Sequence, residues 1–221
     1  PYPPPGRTGR RQFWRCTLVE HDTRLRPARG VAKTESDGSL TVMQTLKRRG
    51  HPENPPPLSS DGWGGHREAL VEVWGKVPAR REKTKPPTRK QPQAGWQYLQ
   101  VVPIRRNKTV IGIVPRVRYG KREEVLRILG CHTAYVERTN LTSRQMNARL
   151  ARKTLGFSKS REMLEASCAW EDAAYNLMRP LKTLRVPCDG PRRRWQHRSP
   201  AMAAGLTDHL WTPYEVLTAL P

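Results

Sequence analysis

Hydrophobic and polar positions change period several times along the chain, and each change predicts an element. Phe13 to Val19 alternates, with Trp14, Cys16 and Leu18 on one side and Arg15 and Thr17 on the other. That is the pattern of a half-buried strand. A turn at His21-Asp22-Thr23 leads to a weaker strand over Leu25 to Lys33, interrupted by Pro27 and Gly30. The two predict an antiparallel hairpin. A helix follows, with Ser36 or Asp37 as N-cap, Leu40, Met43 and Leu46 as its apolar side and Gly50 as its stop. After the rigid loop His51 to Pro57 comes a short strand, Leu58 to Asp61, closed by Gly62. A helix from about Gly65 to Trp74 has Ala69, Leu70, Val73 and Trp74 as its buried stripe.

Lys76 to Gly95 has no apolar periodicity and reads as a Pro-rich, basic linker. Trp96 to Val102 and Lys108 to Tyr119 predict two strands joined through Arg105-Arg106-Asn107-Lys108. Lys121 to Leu129 predicts a short helix with Val125, Leu126 and Leu129 inward. Glu162 to Met178 predicts a longer one, with Met163, Ala166, Trp170, Ala173 and Leu177 as a stripe of plain core packing. Pro187 to Pro200 reads as a basic loop, and Pro213 to Leu220 as a final short helix.

Composition narrows the class. Hydrophobic residues make up 36% of the 221 positions and mean hydropathy is -0.78, so the core is modest. Lys and Arg number 41 against 19 Asp and Glu, a net charge of +22. Such self-repulsion is relieved by a polyanion, and nucleic acid is the usual one. An anionic membrane surface is the weaker rival, because the cations are spread along the whole chain rather than on one amphipathic helix. No apolar run approaches the roughly 18 residues of a membrane span, and the opening PYPPPGRTGRR is no signal peptide. The chain begins without Met, as a fragment or processed product would. Cys16, Cys131, Cys168 and Cys188 form no CxxC pair, which argues against zinc and for small buried apolar residues plus a loop cysteine in a reducing cytosol.

Two carboxylates have an unusual context. Glu137 stands alone at the head of a segment holding Arg138, Arg144, Arg149, Arg152, Lys153, Lys159 and Arg161. It is either a first-turn acid favoured by the helix dipole, with a solvated cationic face behind it, or a metal ligand beside a phosphate-holding surface. Asp61 closes a strand just before a helix, either as an ordinary turn or N-cap residue or at the sheet edge where open α/β folds hold ligands. The basic linker is likewise either a cationic strap on a phosphate backbone or a solvated loop.

SDGWGGHREALVEVWG at 60–75 and TAYVERTNLTSRQMNARLARKTLGFSKS at 133–160 resemble DDE-type transposases of bacterial insertion sequences. AAYNLMRPLKTLRV at 173–186 and PAMAAGLTDHLWTPYEVLTALP at 200–221 carry the same resemblance. It implies an α/β ribonuclease-H-like core, a mixed sheet with flanking helices, lacking its first strand and the first catalytic aspartate on it. An inserted β-hairpin and a C-terminal helical extension complete the expected architecture. The expected organisation is a disordered or extended lead at 1–12, a core at 13–186 with linker and hairpin insertion at 76–120, and a tail at 187–221. The resemblance makes Asp61 and Glu137 catalytic and metal-binding, with Mg²⁺ or Mn²⁺ as cofactor in the intact enzyme. Arg138 and Asn140 would orient DNA or the carboxylate, and Arg144, Arg149, Arg152, Lys153 and Lys159 would hold phosphates. The partners implied are the element ends and target DNA, with homo-oligomers forming on DNA in the bacterial cytoplasm, at the nucleoid. The family's usual His after the Arg-Pro of its last helix is replaced by Leu181. On this reading the chain is N-terminally truncated and inactive alone. The alternative is a non-catalytic basic nucleic-acid-binding protein.

Overall fold

The computed structural model describes residues 13–79, 88–107, 109–131, 133–151, 155–190 and 193–219. The expected lead at 1–12, part of the linker, Arg152 and Lys153 lie outside the described residues. The chain forms two compact units, one gathering Trp14–Thr17 with Ala28–Ala134, the other Leu18–Pro27 with the chain from Tyr135 onward.

In the first unit, β1 (Trp14–Thr17) pairs antiparallel with β2 (Arg29–Ala32), as the alternation predicts. α1 (Glu35–Gly50) follows, but its N-cap is Thr34, not Ser36 or Asp37. Thr34 Oγ1 accepts the Asp37 N–H at 3.1 Å and so satisfies one of the first-turn donors. α1 buries Val42, Met43 and Leu46, and its Gly38 lies so close to Gly30 of β2 that a Cβ on Gly30 would stand 2.2 Å from the Gly38 carbonyl oxygen. A side chain at Gly30 would therefore push strand and helix apart.

β3 (Leu58–Asp61), α2 (Gly64–Trp74) and β4 (Tyr98–Arg106) form a strand-helix-strand unit in which β3 and β4 run parallel. β5 (Thr109–Tyr119) pairs antiparallel with β4, giving a mixed sheet of order β3-β4-β5. The fold class is mixed α/β. α3 (Arg122–Leu129) packs on this sheet: Val125 is buried against Leu99 and Val101, with Val117, Leu126 and Leu129 around them. α2 buries Ala69, Leu70 and Trp74 while Val73 is only half-buried.

The second unit is built on α4 (Ala134–Met146) and α5 (Arg161–Ala173), which runs on as a π-helical turn, Ala174–Met178. The stripe expected on α5 is displaced. Met163 and Trp170 are 52% and 43% exposed, and Leu164, Cys168, Glu171, Asp172 and Tyr175 are the buried side. The reason is a buried cation. Arg26, 3% exposed, donates from Nη1 to Glu171 Oε1 at 2.7 Å and Asp172 Oδ1 at 3.1 Å. Its guanidinium lies 3.7 Å from the Tyr175 ring centroid, and its backbone exchanges two hydrogen bonds with the Asn176 side chain. Two acids thus turn inward where hydropathy would turn them out.

The basic loop expected at 187–200 is instead a hairpin of β6 (Leu181–Gly190) and β7 (Arg193–Arg198). Arg185 and Arg194 sit over the Trp195 ring, a pairing that a local polarity pattern does not reveal. α6 (Pro200–Ala203) is capped by the buried Ser199, and α7 (Pro213–Ala219) by a capping box between Thr212 and Glu215. No helix among the described residues is long and apolar enough to cross a membrane.

Candidate functional site

Asp61 is the last residue of β3, at the carboxyl end of a strand with a parallel neighbour. Its Oδ1 accepts the Trp63 N–H at 3.1 Å, an Asx turn that leads into α2, whose N-cap is Trp63. Yet its side chain is 63% exposed.

The SDGWGGH motif folds back on itself. The Trp63 ring covers the first turn of α2 so closely that a Cβ on Gly65 would stand 2.2 Å from it. It meets the His66 ring edge-on, with centroids 4.9 Å apart. Gln100 of β4 pins the turn from below: its Nε2 donates to the Trp63 carbonyl at 3.0 Å, and its Oε1 accepts Arg118 Nε–H at 2.7 Å. The loop bearing Asp61 is therefore held by helix and sheet together.

Three groups around Asp61 were not singled out by the sequence. His66 Nε2 lies 3.9 Å from Asp61 Oδ1, and its Nδ1 shares a 2.8 Å hydrogen bond with Ser39 Oγ, which α1 buries. Burial holds the His66 pKa below its usual value, with the charge of Asp61 pulling weakly the other way. The ring is thus neutral near pH 7, and its contact with Asp61 is polar rather than ionic. Glu35, in the first turn of α1, is pushed up by burial and then by the Asp61 charge. Cys16 is pushed up to about 11 by burial, Glu35 and Asp61, so its thiol stays protonated. The spacing signal for His66 was present in the sequence, five positions beyond Asp61 on the first turn of the next helix. Glu35 and Ser39 come from α1, and only the tertiary fold brings them in.

Glu137 lies in the second unit, in the first turn of α4, and is exposed together with Arg138. Thr139, Thr142 and Ser143 form the buried side of that helix, while Asn140 and Arg144 are half-buried. The Tyr135 ring one half-turn before Glu137 carries the Arg24 guanidinium at 3.3 Å from its centroid and the edge of His21 at 5.0 Å. Arg149 Nη1 donates to the buried Ser158 Oγ at 3.3 Å, so that cation also braces the loop after α4. Lys159 is exposed. Asp61 and Glu137 belong to different compact units.

Hard carboxylate oxygens suit a divalent cation. The exposed Asp61 and Glu137 are of the right type, although among the described residues no group of three or more His, Cys, Asp and Glu could hold a metal ion.

Residues 117–169 match the family model described as IS1 transposase. The match supports a DDE-type insertion-sequence transposase. It spans less than half of the chain, from the end of β5 through α3 and α4 into α5. It includes Glu137 and every expected DNA-contacting residue, while Asp61 lies outside it. Transposases of this family act on DNA, and DDE-type members use a divalent metal. No curated protein and no solved structure matches the chain.

Proposed function

We propose that the chain takes part in Mg²⁺- or Mn²⁺-dependent DNA strand cleavage and transfer during transposition of an insertion sequence. The observation that carries this is the family match over 117–169, a span that includes Glu137, which is exposed beside Arg138 in the first turn of α4. Asp61 supports it from the sheet edge, exposed and held by its turn. On this reading the mixed sheet and helices are a ribonuclease-H-like core within 13–186, with 76–120 as its insertion and 187–221 as a tail.

Asp61 in one unit and Glu137 in the other would each be a carboxylate ligand for divalent metal, which would supply charge stabilisation at the phosphorus and an activated nucleophile. The protein's own share is positional. The Trp63 N–H fixes the Asp61 carboxylate, and neutral His66 beside it adds no competing positive charge. Arg138, Asn140, Arg144 and Lys159, with Arg149, Arg152 and Lys153, would hold phosphates of the element end and target. Two assigned carboxylates are fewer than the three that such a centre uses, so the chain by itself is expected to give little or no strand transfer. Oligomers would assemble on the DNA.

Calorimetric titration of Mn²⁺ into the 221-residue chain tests the assignment. Asp61→Asn and Glu137→Gln should each weaken binding at least tenfold. Binding unchanged by both would transfer the chain to the alternative class, a basic nucleic-acid binder without catalysis.

A further inference from the structure

β4 pairs with β3 only from Tyr98 to Val101. Beyond that point it continues with β5 alone, so residues 102–106 and 109–114 form a two-stranded ribbon to which no third strand pairs among the described residues. The ribbon is apolar where water should make it polar. Ile104, Val110, Ile111 and Ile113 are 44%, 50%, 60% and 46% exposed. Its register is Pro103 to Ile113, Ile104 to Gly112, Arg105 to Val110 and Arg106 to Thr109. The shift between Ile104 and Arg105 skips Ile111, which therefore bulges from the ladder. Gly112 opposite Ile104 keeps the ribbon thin there. Arg105 and Arg106 are exposed at the end of β4, and Asn107 begins the turn with φ 47°.

Charge says what this surface meets. From Lys83 to Arg122 the sequence holds eleven Lys and Arg and no Asp or Glu. A second copy would bring the same eleven cations and the same lack of acids to the contact, and like charges across a ladder repel. A polyanion has the complementary sign. Grooves of duplex DNA admit a two-stranded ribbon, and proteins that bend DNA insert an exposed Ile, Leu or Pro between base steps with cations on either side.

We propose that the free end of the β4–β5 ribbon is an arm that enters the minor groove of duplex DNA, with Arg105 and Arg106 on the flanking phosphates and Ile111 as an apolar wedge that bends the duplex. This rests on DNA being the ligand, as in the reading above, and adds a contact surface separate from Asp61 and Glu137.

The test uses the full chain and a duplex of roughly 30 base pairs labelled at both ends, binding being followed over a salt series and bending by energy transfer. The double variant Arg105→Gln, Arg106→Gln should flatten the log–log salt slope by about 2 and weaken binding at low salt. Ile111→Ser should leave that slope in place and return energy transfer toward the value of free duplex. These residues are exposed, so the sheet should keep its circular dichroism. If Ile111→Ser misfolds, the arginine pair still decides. A parent protein that binds and bends DNA with both variants unchanged overturns the arm alone. A parent that shows no salt-dependent binding overturns the arm and the transposase reading together. A concentration-dependent dimer that Ile111→Ser abolishes, with DNA binding intact, assigns the ribbon to a second copy and also overturns the arm.

Discussion

Glu171 and Asp172 on α5 and Asp61 at the end of β3 are acids under opposite conditions. The first two are buried, and one guanidinium answers both of them at 2.7 and 3.1 Å. Asp61 is mostly exposed and, among the described residues, meets a backbone N–H at 3.1 Å and a neutral imidazole 3.9 Å away. A buried acid of the first kind is committed to the fold, because losing its partner would strand a charge in low dielectric. An exposed acid held by its own turn is placed and still available. The difference separates structural carboxylates from ligand-binding ones better than charge pattern does, since Glu171-Asp172 and Asp61 look equally polar in the sequence.

The comparison can be strained first where the effect is largest. Arg26→Met removes the guanidinium that the two buried acids share and should cost about 3–5 kcal/mol in urea unfolding. A loss below about 1 kcal/mol would mean that water reaches those carboxylates and that the contrast with Asp61 is only one of degree.

A second, smaller effect concerns pH near Asp61. The His66 pKa is lowered in the folded state, so the unfolded chain binds more protons through the histidine range. The contribution of neutral His66 is therefore complete above the ordinary histidine pKa and is lost as pH falls toward the depressed one. Unfolding midpoints between pH 7.5 and 5 should fall more for the parent than for His66→Gln. Exposed His209 is shifted upward by Asp208 and Glu215 and works in the opposite sense, so the parent-minus-variant difference is the quantity to read. Parallel curves would show that the imidazole is solvated and does not shape the Asp61 environment.

The smallest effect is expected at Asp61 itself. Asn keeps an oxygen for the Trp63 N–H, so Asp61→Asn should change stability by no more than about 0.5 kcal/mol. Together with lost Mn²⁺ binding, that would complete the contrast with Arg26. A large loss of stability would instead move Asp61 into the structural class.

β3, the turn at Asp61 and α2 were legible because each is local: a short strand, a Ser-Asp-Gly turn, then a helical stripe ended by a glycine; β4 was read as part of an inserted hairpin, and its parallel pairing with β3 was not legible. The helix bearing Glu137 was legible from its resemblance and its charge. What escaped depended on distant partners. The inward side of α5 could not be read from its own hydropathy, since Arg26 neutralises it from 145 positions away. The β6–β7 hairpin hid behind Pro187 and a run of arginines, its order coming from cross-strand pairing and from two guanidinium groups over the Trp195 ring. Glu35 and Ser39 read as ordinary first-turn and helix residues, and only the packing of α1 against α2 gives them a place near Asp61.

The separation of Arg26 from its partners also bears on how the molecule is made. Asn176 comes 150 positions after Arg26, and the two acids 145 and 146 after it. During synthesis on the ribosome, the β3-α2-β4 unit is complete while that arginine still waits in water. One half of the nascent polypeptide can thus mature early, whereas the other closes only once its late segments emerge, which makes it the slower half and the one a chaperone would guard.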